Sequence, residues 1–210
     1  MSRRSNSPMR ICLTIALVIL LASCGLWPPD AIALHEVQGT GTRRIAAVYV
    51  ADPQQPFLTE WVVITPDAPA QRSDMRVLVT LTPDQRASLP VRIENGLSYA
   101  PLILTATITG AGSTLVIRDI RDIDTSIREQ TVAHNDANRL IRIIGHLASP
   151  NPLALLVDRG DPRIALGFMP PWSADTAPLR LVDGAPLLIE GVRSGDALIP
   201  LVIAPVIDEE

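Results

Sequence analysis

The chain has 210 residues, and its 22 acidic residues outnumber its 18 basic ones, which gives a net charge of −4. The first 24 residues hold three arginines and no acid, so the remainder carries a charge near −7. This balance disfavours nucleic acid and anionic lipid surfaces as partners, because both are bound through a basic face. The roughly 185 residues that follow are enough for one medium domain or two small ones.

The chain begins with the three parts of a secretory signal peptide. Arg3, Arg4 and Arg10 supply a positive start, residues 11–22 form an almost unbroken apolar run, and small residues follow it. About 12 apolar residues fall short of the roughly 20 that cross a bilayer as a helix. The pattern therefore predicts an export signal over residues 1–23 rather than a permanent transmembrane span.

The signal ends in Leu21-Ala22-Ser23-Cys24. These four residues resemble the lipobox of bacterial lipoproteins, and the resemblance implies cleavage before Cys24 and acylation of both its thiol and the new N-terminus. Two or more acyl chains hold a protein stably on a membrane, so no transmembrane helix would be needed. Because Cys12 lies in the discarded run, Cys24 is the only cysteine of the mature chain. The alternative is a plain secretory signal with an incidental cysteine.

The rest of the chain is predicted to be all-β. Eighteen of the chain's 19 prolines, together with many polar residues, break short runs rich in Val, Ile, Leu and Thr here, and no long helical periodicity occurs. Residues 24–42 are predicted to form a lipidated tether. Residues 126–138 are the best helix candidate and are interpreted as a polar connector between a first domain at 43–125 and a second at 139–210.

The two domains match each other in one ordered series, which predicts an internal duplication. The matching segments are 50–53 with 147–150, 76–83 with 163–170, 91–96 with 179–184, 100–102 with 185–187 and 115–117 with 201–203. The strand alternation is preserved as well, since Val77, Val79 and Leu81 fall on one predicted inward face. Their counterparts in the second domain are Ile164, Leu166 and Phe168.

Each domain is predicted to contain about five short strands. In the second domain these lie at 140–147, 153–157, 163–168, 187–192 and 201–206. Five short strands with a longer link from the third to the fourth resemble the OB-fold, a small Greek-key barrel. The resemblance implies two tandem OB-like barrels, and a β-sandwich is the competing architecture.

No metal, cofactor or catalytic centre is predicted. His35, His134 and His146 are far apart in the sequence and form no zinc spacing. The acidic residues within 119–124 lack the glycine turn and the closing glutamate of a calcium loop, so they are interpreted as solvated carboxylates. The chain contains no Gly-x-Ser-x-Gly elbow, and the glycine-rich residues 110–113 and the Asp-Arg-Gly-Asp stretch 158–161 are interpreted as turns.

Trp61 and Trp172 are the candidate ligand-facing residues. OB-folds that bind single-stranded nucleic acid set aromatic rings on a basic groove. The acidic balance here suits a neutral glycan or a protein edge better than a phosphate chain. Packing in the core is the alternative role for both rings.

The sequence thus predicts a non-enzymatic binding or scaffolding lipoprotein on the extracytoplasmic face of the cell membrane or outer envelope. Two alternatives remain open. A nucleic-acid-binding lipoprotein predicts one contiguous face formed by four arginines, namely Arg76, Arg92, Arg163 and Arg180. An envelope hydrolase requires a cleft with a polar triad. No motif specifies an oligomeric state.

Overall fold

The structure is a computed structural model that describes residues 30–65, 68–129, 138–150, 153–157, 164–166, 186–194 and 197–206. Its strands are β1 (Ile32–Ala33), β2 (Gly41–Val50), β3 (Phe57–Thr59), β4 (Val62–Thr65), β5 (Ala68–Arg72), β6 (Val77–Leu78), β7 (Arg92–Glu94), β8 (Leu97–Thr109), β9 (Val116–Asp124), β10 (Arg128–Glu129), β11 (Leu140–Pro150), β12 (Leu153–Val157), β13 (Ile164–Leu166), β14 (Pro186–Ser194) and β15 (Ala197–Pro205). One short helix, α1 (Pro83–Ala87), and two 3-10 turns accompany them within the described ranges. The all-β prediction is confirmed.

The first sheet is built around β2. This strand pairs antiparallel with β3 and β8, and it pairs in parallel with β1. Beyond these neighbours, β6 pairs with β3, and both β7 and β9 pair with β8. The described residues record no pairing between β6 and β9, so the first sheet is open at that point.

The second sheet is built around β11. This strand pairs antiparallel with β12 and β14, and in parallel with β10. Strand β12 also pairs antiparallel with β13. Strand β13 pairs in parallel with β15, and β15 pairs antiparallel with β14. The hairpin of β4 and β5 joins this sheet through β15, although it belongs to the first half of the sequence.

Three apolar clusters hold the two sheets. The first core lies on one face of the first sheet, the middle core lies between the sheets, and the second core lies within the second sheet. Strand β2 serves two of them, because Ile45, Ala47 and Tyr49 point into the first core while Ala46 and Val48 point into the middle core. Burial on both faces explains why its sequence is a continuous apolar run instead of an alternating one.

All five strands predicted for the second domain are present, although the bounds of four of them differ from the prediction. Strand β12 coincides with the predicted 153–157, and β11, β13, β14 and β15 overlap the other four predictions. The predicted inward face of the first domain is also confirmed. Val77, Val79 and Leu81 are all buried, whereas Leu78 between them is 54% exposed. Ile164 and Leu166 lie in β13, and Phe168 lies outside the described residues.

The β7–β8 connection is a two-residue hairpin. Asn95 and Gly96 both have positive φ angles, of 46° and 80°, and Glu94 pairs with Leu97 across the turn. Asparagine and glycine tolerate this backbone, which matches the twist of a tight antiparallel hairpin. The Asn95 side-chain amide donates a hydrogen bond to the Thr65 carbonyl, so the turn also holds the end of β4.

The tether prediction for residues 24–42 is wrong from Ala31 onward. Ala31, Ala33, Leu34 and Val37 are all buried, and they contribute to the first and middle cores. Burial of this segment is favourable although it contains polar residues. Each large aliphatic side chain that is buried contributes about 1.5–3 kcal/mol to the free energy of folding. The rest of the predicted tether, residues 24–29, lies outside the described residues.

The helix predicted for residues 126–138 is wrong in the part that the structure describes. Arg128 and Glu129 form strand β10 in parallel pairing with β11, and Ile127 packs against the middle core. Residues 130–137 lie outside the described residues. Within the described ranges, no helix has the length and apolarity to cross a membrane.

Candidate functional site

The three residues predicted for the site differ in what the structure says of them. Cys24 and Trp172 lie outside the described residues. Trp61 directly precedes β4, is half-buried and packs against the second core, whose members include Val63 and Ile143. Much of its ring therefore acts as packing, which is the alternative that the sequence left open.

Trp61 lies where the chain crosses from one sheet to the other. The chain leaves the first sheet at Thr59, forms the β4–β5 hairpin of the second sheet and returns after Ser73. The two crossing points hold each other, since the Ser73 N–H donates to the Trp61 carbonyl at 3.1 Å and the buried Thr59 hydroxyl donates to the Ser73 carbonyl at 3.2 Å. We call residues 57–61 and 72–76 the crossing segment.

The Glu60 carboxylate of the crossing segment binds two polar side chains, those of His35 and Ser73. Glu60 Oε1 lies 2.7 Å from His35 Nδ1, and its Oε2 accepts a 2.7 Å hydrogen bond from the Ser73 hydroxyl. The same hydroxyl accepts a hydrogen bond from the Met75 N–H at 3.2 Å. Nucleophilic catalysis needs a base beside the serine and an acid behind that base. Here the acid lies between the serine and the histidine, and Ser73 is buried, so the contacts suit a structural role.

Two arginines of the crossing segment share one aromatic ring. The guanidinium carbons of Arg72 and Arg76 lie 5.0 Å and 4.9 Å from the centre of the Phe57 ring, which is buried beneath them. Arg72 also donates a hydrogen bond to the Ser73 carbonyl at 3.1 Å. Neither guanidinium forms an ion pair with a described residue. Stacking uses the guanidinium faces and leaves in-plane N–H donors available.

A second arginine cluster surrounds a buried carboxylate between the sheets. Glu190 on β14 is fully buried and accepts hydrogen bonds from Arg92 on β7 and from Arg142 on β11. Arg92 contacts both carboxylate oxygens, at 2.9 Å for Oε1 and through a shorter bond for Oε2, while Arg142 donates twice to Oε1 at 2.7 and 3.0 Å. Arg142 also pairs at 2.8 Å with the exposed Glu129, and Arg92 stacks on Tyr99.

The backbone around Glu190 is irregular for a local reason. Glu190 pairs with Val202 on β15, but the next residue, Gly191, pairs with Pro200, so one register step is skipped. Proline has no N–H to donate to the ladder, and a bulge is where a sheet tolerates it. A Cβ on Gly191 would lie 2.4 Å from the Ile199 carbonyl oxygen, so the close approach of β14 and β15 requires glycine here.

The charges of this cluster shift the acid–base properties of its members. The hydrogen bond to Glu190 raises the pKa of Arg142. Burial tends to lower the pKa of Arg92, but the Glu190 carboxylate outweighs it and the pKa is raised. Burial also raises the pKa of the Tyr99 phenol, against the opposing effect of Arg92. Both arginines and the phenol therefore keep their protons at neutral pH.

The arginine face predicted for nucleic acid is only partly described, since Arg163 and Arg180 lie outside the described residues. Of the other two, Arg92 is bound to Glu190 and Arg76 stacks on Phe57. Residues 110–113 link the antiparallel strands β8 and β9, as the turn interpretation predicts. Among the described residues, no three His, Cys, Asp or Glu side chains are grouped so that they could hold a metal ion.

Sequence reasoning missed Glu190, although a signal was present. It is the only charged residue in the otherwise apolar stretch 185–192, and a carboxylate inside such a strand is a sign of a buried, paired charge. Its partners had no comparable signal, because Arg92 and Arg142 come from other strands and resemble ordinary surface arginines. The Asn95-Gly96 pair, by contrast, is a recognisable hairpin signal.

No protein-family model, curated protein or solved structure matches this chain.

Proposed function

We propose that the chain is an exported, lipid-anchored protein without enzymatic activity, whose two OB-like units form one binding or scaffolding module in the cell envelope. The observation that carries the proposal is the joining of the two halves. The middle core contains side chains from both, including Val48 and Ile103 of the first sheet and Leu201 of the second. The β4–β5 hairpin and the Arg92–Glu190 contact connect the halves further.

The entry of the chain into the folded part supports an anchor close to the module. Asn138 accepts a hydrogen bond from the Ala31 N–H at 2.8 Å and donates one to the Asp30 side chain at 2.6 Å. Its own N–H donates to the Arg193 carbonyl at 2.8 Å. Five residues lie between Cys24 and Asp30, and the six Cα–Cα steps that join the two span about 20 Å at full extension. An acylated Cys24 would hold the module within that distance of the membrane.

The order of strand pairing supports the duplication and the OB-like architecture. Strands β2, β3, β6, β8 and β9 are joined by four antiparallel pairings, and β11, β12, β13, β14 and β15 repeat the same four in the same order. The second unit adds a parallel pairing of β13 with β15, and a five-stranded Greek-key barrel would use a pairing between these two strands. The strand registers of the two units differ. Ile117 on β9 pairs with Ile108 on β8, whereas its counterpart on β15, Ile203, pairs with Ile189 on β14.

The chemistry of the described clusters supports binding over catalysis. Glu60 and Glu190 are both occupied by neighbouring side chains, and neither is next to an accessible nucleophile. The negative balance of the mature chain suits a protein edge or a neutral glycan as ligand. The engagement of Arg92 by Glu190 also weighs against the continuous arginine face that a nucleic-acid-binding protein would need.

The anchor is tested by expressing the wild type and Cys24→Ala in bacteria fed a labelled fatty acid. We expect the wild type to take up the label and sediment with membranes, whereas the variant remains unlabelled and soluble outside the cytoplasm. Cys12→Ala is the matched control and should behave like the wild type, because Cys12 would be cleaved off. Label in Cys24→Ala, or none in the wild type, would rule the anchor out.

A further inference from the structure

The crossing segment carries two positive charges that no described carboxylate neutralises. Both guanidinium carbons lie about 5 Å from the Phe57 ring centre, so they are no more than about 10 Å apart. Asp74 lies between them in sequence, is exposed, and forms no ion pair with either. Glu60, another acid of the crossing segment, is occupied by His35 and Ser73.

The local fold presents these charges outward. Val77 is buried, whereas its two neighbours are exposed: Arg76 directly before β6 and Leu78 within it. Leu78 pairs directly with Phe57 across β3 and β6, and it is 54% exposed. The surface around the ring thus combines two guanidiniums with one exposed apolar side chain.

The guanidiniums are also held in place. Each stacks on the buried Phe57 ring, and Arg72 is fixed further by its hydrogen bond to the Ser73 carbonyl. Stacked guanidiniums keep their planar donor edges free, and those edges match the spacing of carboxylate and phosphate oxygens. Less side-chain freedom is lost on binding when the donors are already ordered.

We propose that Phe57, Arg72 and Arg76 form a binding site for a single oxyanion group, a carboxylate or a phosphate. The site extends the proposed function and does not depend on it, since the ligand class follows from the crossing segment alone. One oxyanion is compatible with the acidic chain, because it needs only the local pair of charges. A polyphosphate chain would also meet the surrounding acids.

The test is calorimetric titration of the purified full-length chain in non-ionic detergent, with sodium phosphate and with sodium succinate, against chloride at constant ionic strength. We expect saturable binding of at least one of the two anions. The Arg72→Gln/Arg76→Gln double variant should weaken that binding by about tenfold or more. Arg86→Gln/Arg118→Gln removes the same charge from two exposed arginines elsewhere and should leave the affinity within about twofold.

Further measurements distinguish a phosphate from a carboxylate ligand and test the contribution of Phe57. Binding of phosphate alone would assign a phosphate site, and binding of succinate alone a carboxylate site. Flotation of Cys24→Ala with phosphatidylcholine vesicles, with and without phosphatidylglycerol, reports whether a lipid phosphate can occupy the site. Phe57→Leu should weaken binding while its urea midpoint confirms that it is folded. No saturable binding of either anion, or equal loss in the control double variant, would overturn the proposal.

Discussion

The two arginine clusters use the same side chain in opposite ways. Between the sheets, Arg92 and Arg142 surround the fully buried Glu190 and direct their donors inward. On the crossing segment, Arg72 and Arg76 lie on a buried aromatic ring with no described carboxylate as partner, and apart from the Arg72 bond to the Ser73 carbonyl their donors remain available. The first arrangement joins two parts of the molecule, and the second leaves a charge for something else to neutralise.

The contrast shows that the partner of an arginine decides its role. A buried carboxylate cannot be left unpaired, so Glu190 makes its two arginines structural. An aromatic ring attracts a guanidinium but does not cancel its charge, so stacking positions Arg72 and Arg76 without satisfying them. We therefore expect changes at Glu190 to affect folding, and changes at the Phe57 pair to affect mainly binding.

The largest effect is expected from Glu190→Gln. The change keeps the size of the side chain but leaves Arg92 without a counter-charge and Arg142 with only the exposed Glu129. Removing one member of a buried ion pair typically lowers the free energy of unfolding by roughly 3–5 kcal/mol. Because both arginines are partly exposed, we expect a loss of about 3 kcal/mol here. Urea unfolding followed by circular dichroism measures the loss.

Glu129→Gln is the matched control for that variant. Glu129 pairs with the same Arg142, but its side chain is 78% exposed. Exposed ion pairs contribute roughly 0–1 kcal/mol, so this change should lower the free energy of unfolding by less than about 1 kcal/mol. Equal losses for the two variants would contradict the structural role given to Glu190.

A combined apolar replacement sharpens the point. Glu190→Leu together with Arg92→Met and Arg142→Met removes the buried carboxylate and both arginines at once and leaves only the exposed Glu129 charged. Because buried ion networks can be exchanged for apolar side chains at little cost, we expect the triple variant to recover at least about 1 kcal/mol relative to Glu190→Leu alone. A triple variant less stable than the single one would indicate that the charges contribute more than their mutual neutralisation.

An alkaline titration tests Tyr99, which lies beneath Arg92. Because burial raises its pKa above the unfolded value near 10, Tyr99 stabilises the fold fully below pH 10, and the contribution is lost as the pH rises further. The loss should reach about 1.4 kcal/mol per pH unit for this one proton. Urea midpoints of the wild type and Tyr99→Phe between pH 9 and 11 measure it. A parallel decline in both proteins would contradict the assignment.

The smallest effect on stability is expected from Arg76→Gln, at the arginine pair on Phe57. Arg76→Gln removes one stacked guanidinium from an exposed position, and such contacts contribute roughly 0.5–1 kcal/mol. Relief of the repulsion from Arg72 should offset part of that loss. Urea unfolding without added anion should therefore give a change below about 1 kcal/mol. A loss comparable with that of Glu190→Gln would make Arg76 a structural residue.

Local features were predictable from the sequence where a residue type fixes them. The strands of the second domain and the inward face of Val77, Val79 and Leu81 follow from apolar alternation, which depends on neighbouring residues alone. Contacts between distant segments were not predictable in this way. The sequence gives no local signal that the β4–β5 hairpin joins the second sheet, because the apolar sequence of β4 is typical of any buried strand.

The candidate site was less predictable than the fold. Trp61 was predicted from its ring to face a ligand, yet it packs against the second core, which only the three-dimensional structure reveals. Arg76 was predicted only as part of an arginine face for nucleic acid, and Arg72 was not predicted at all, since stacking on Phe57 depends on how β3, β5 and β6 meet. The buried segment from Ala31 to Val37 was obscured by the polar and glycine residues that follow it.

Native-state hydrogen exchange tests most directly whether the two halves form one module. Amides of β2 and β14 lie in different sheets, and the middle core and the Glu190 cluster join them. We expect the slowest amides of both strands to open with the same free energy and the same urea dependence, as in one cooperative unit. Exchange of β14 at a clearly lower free energy than β2, unchanged by Glu190→Gln, would show two independent domains and contradict a joined module.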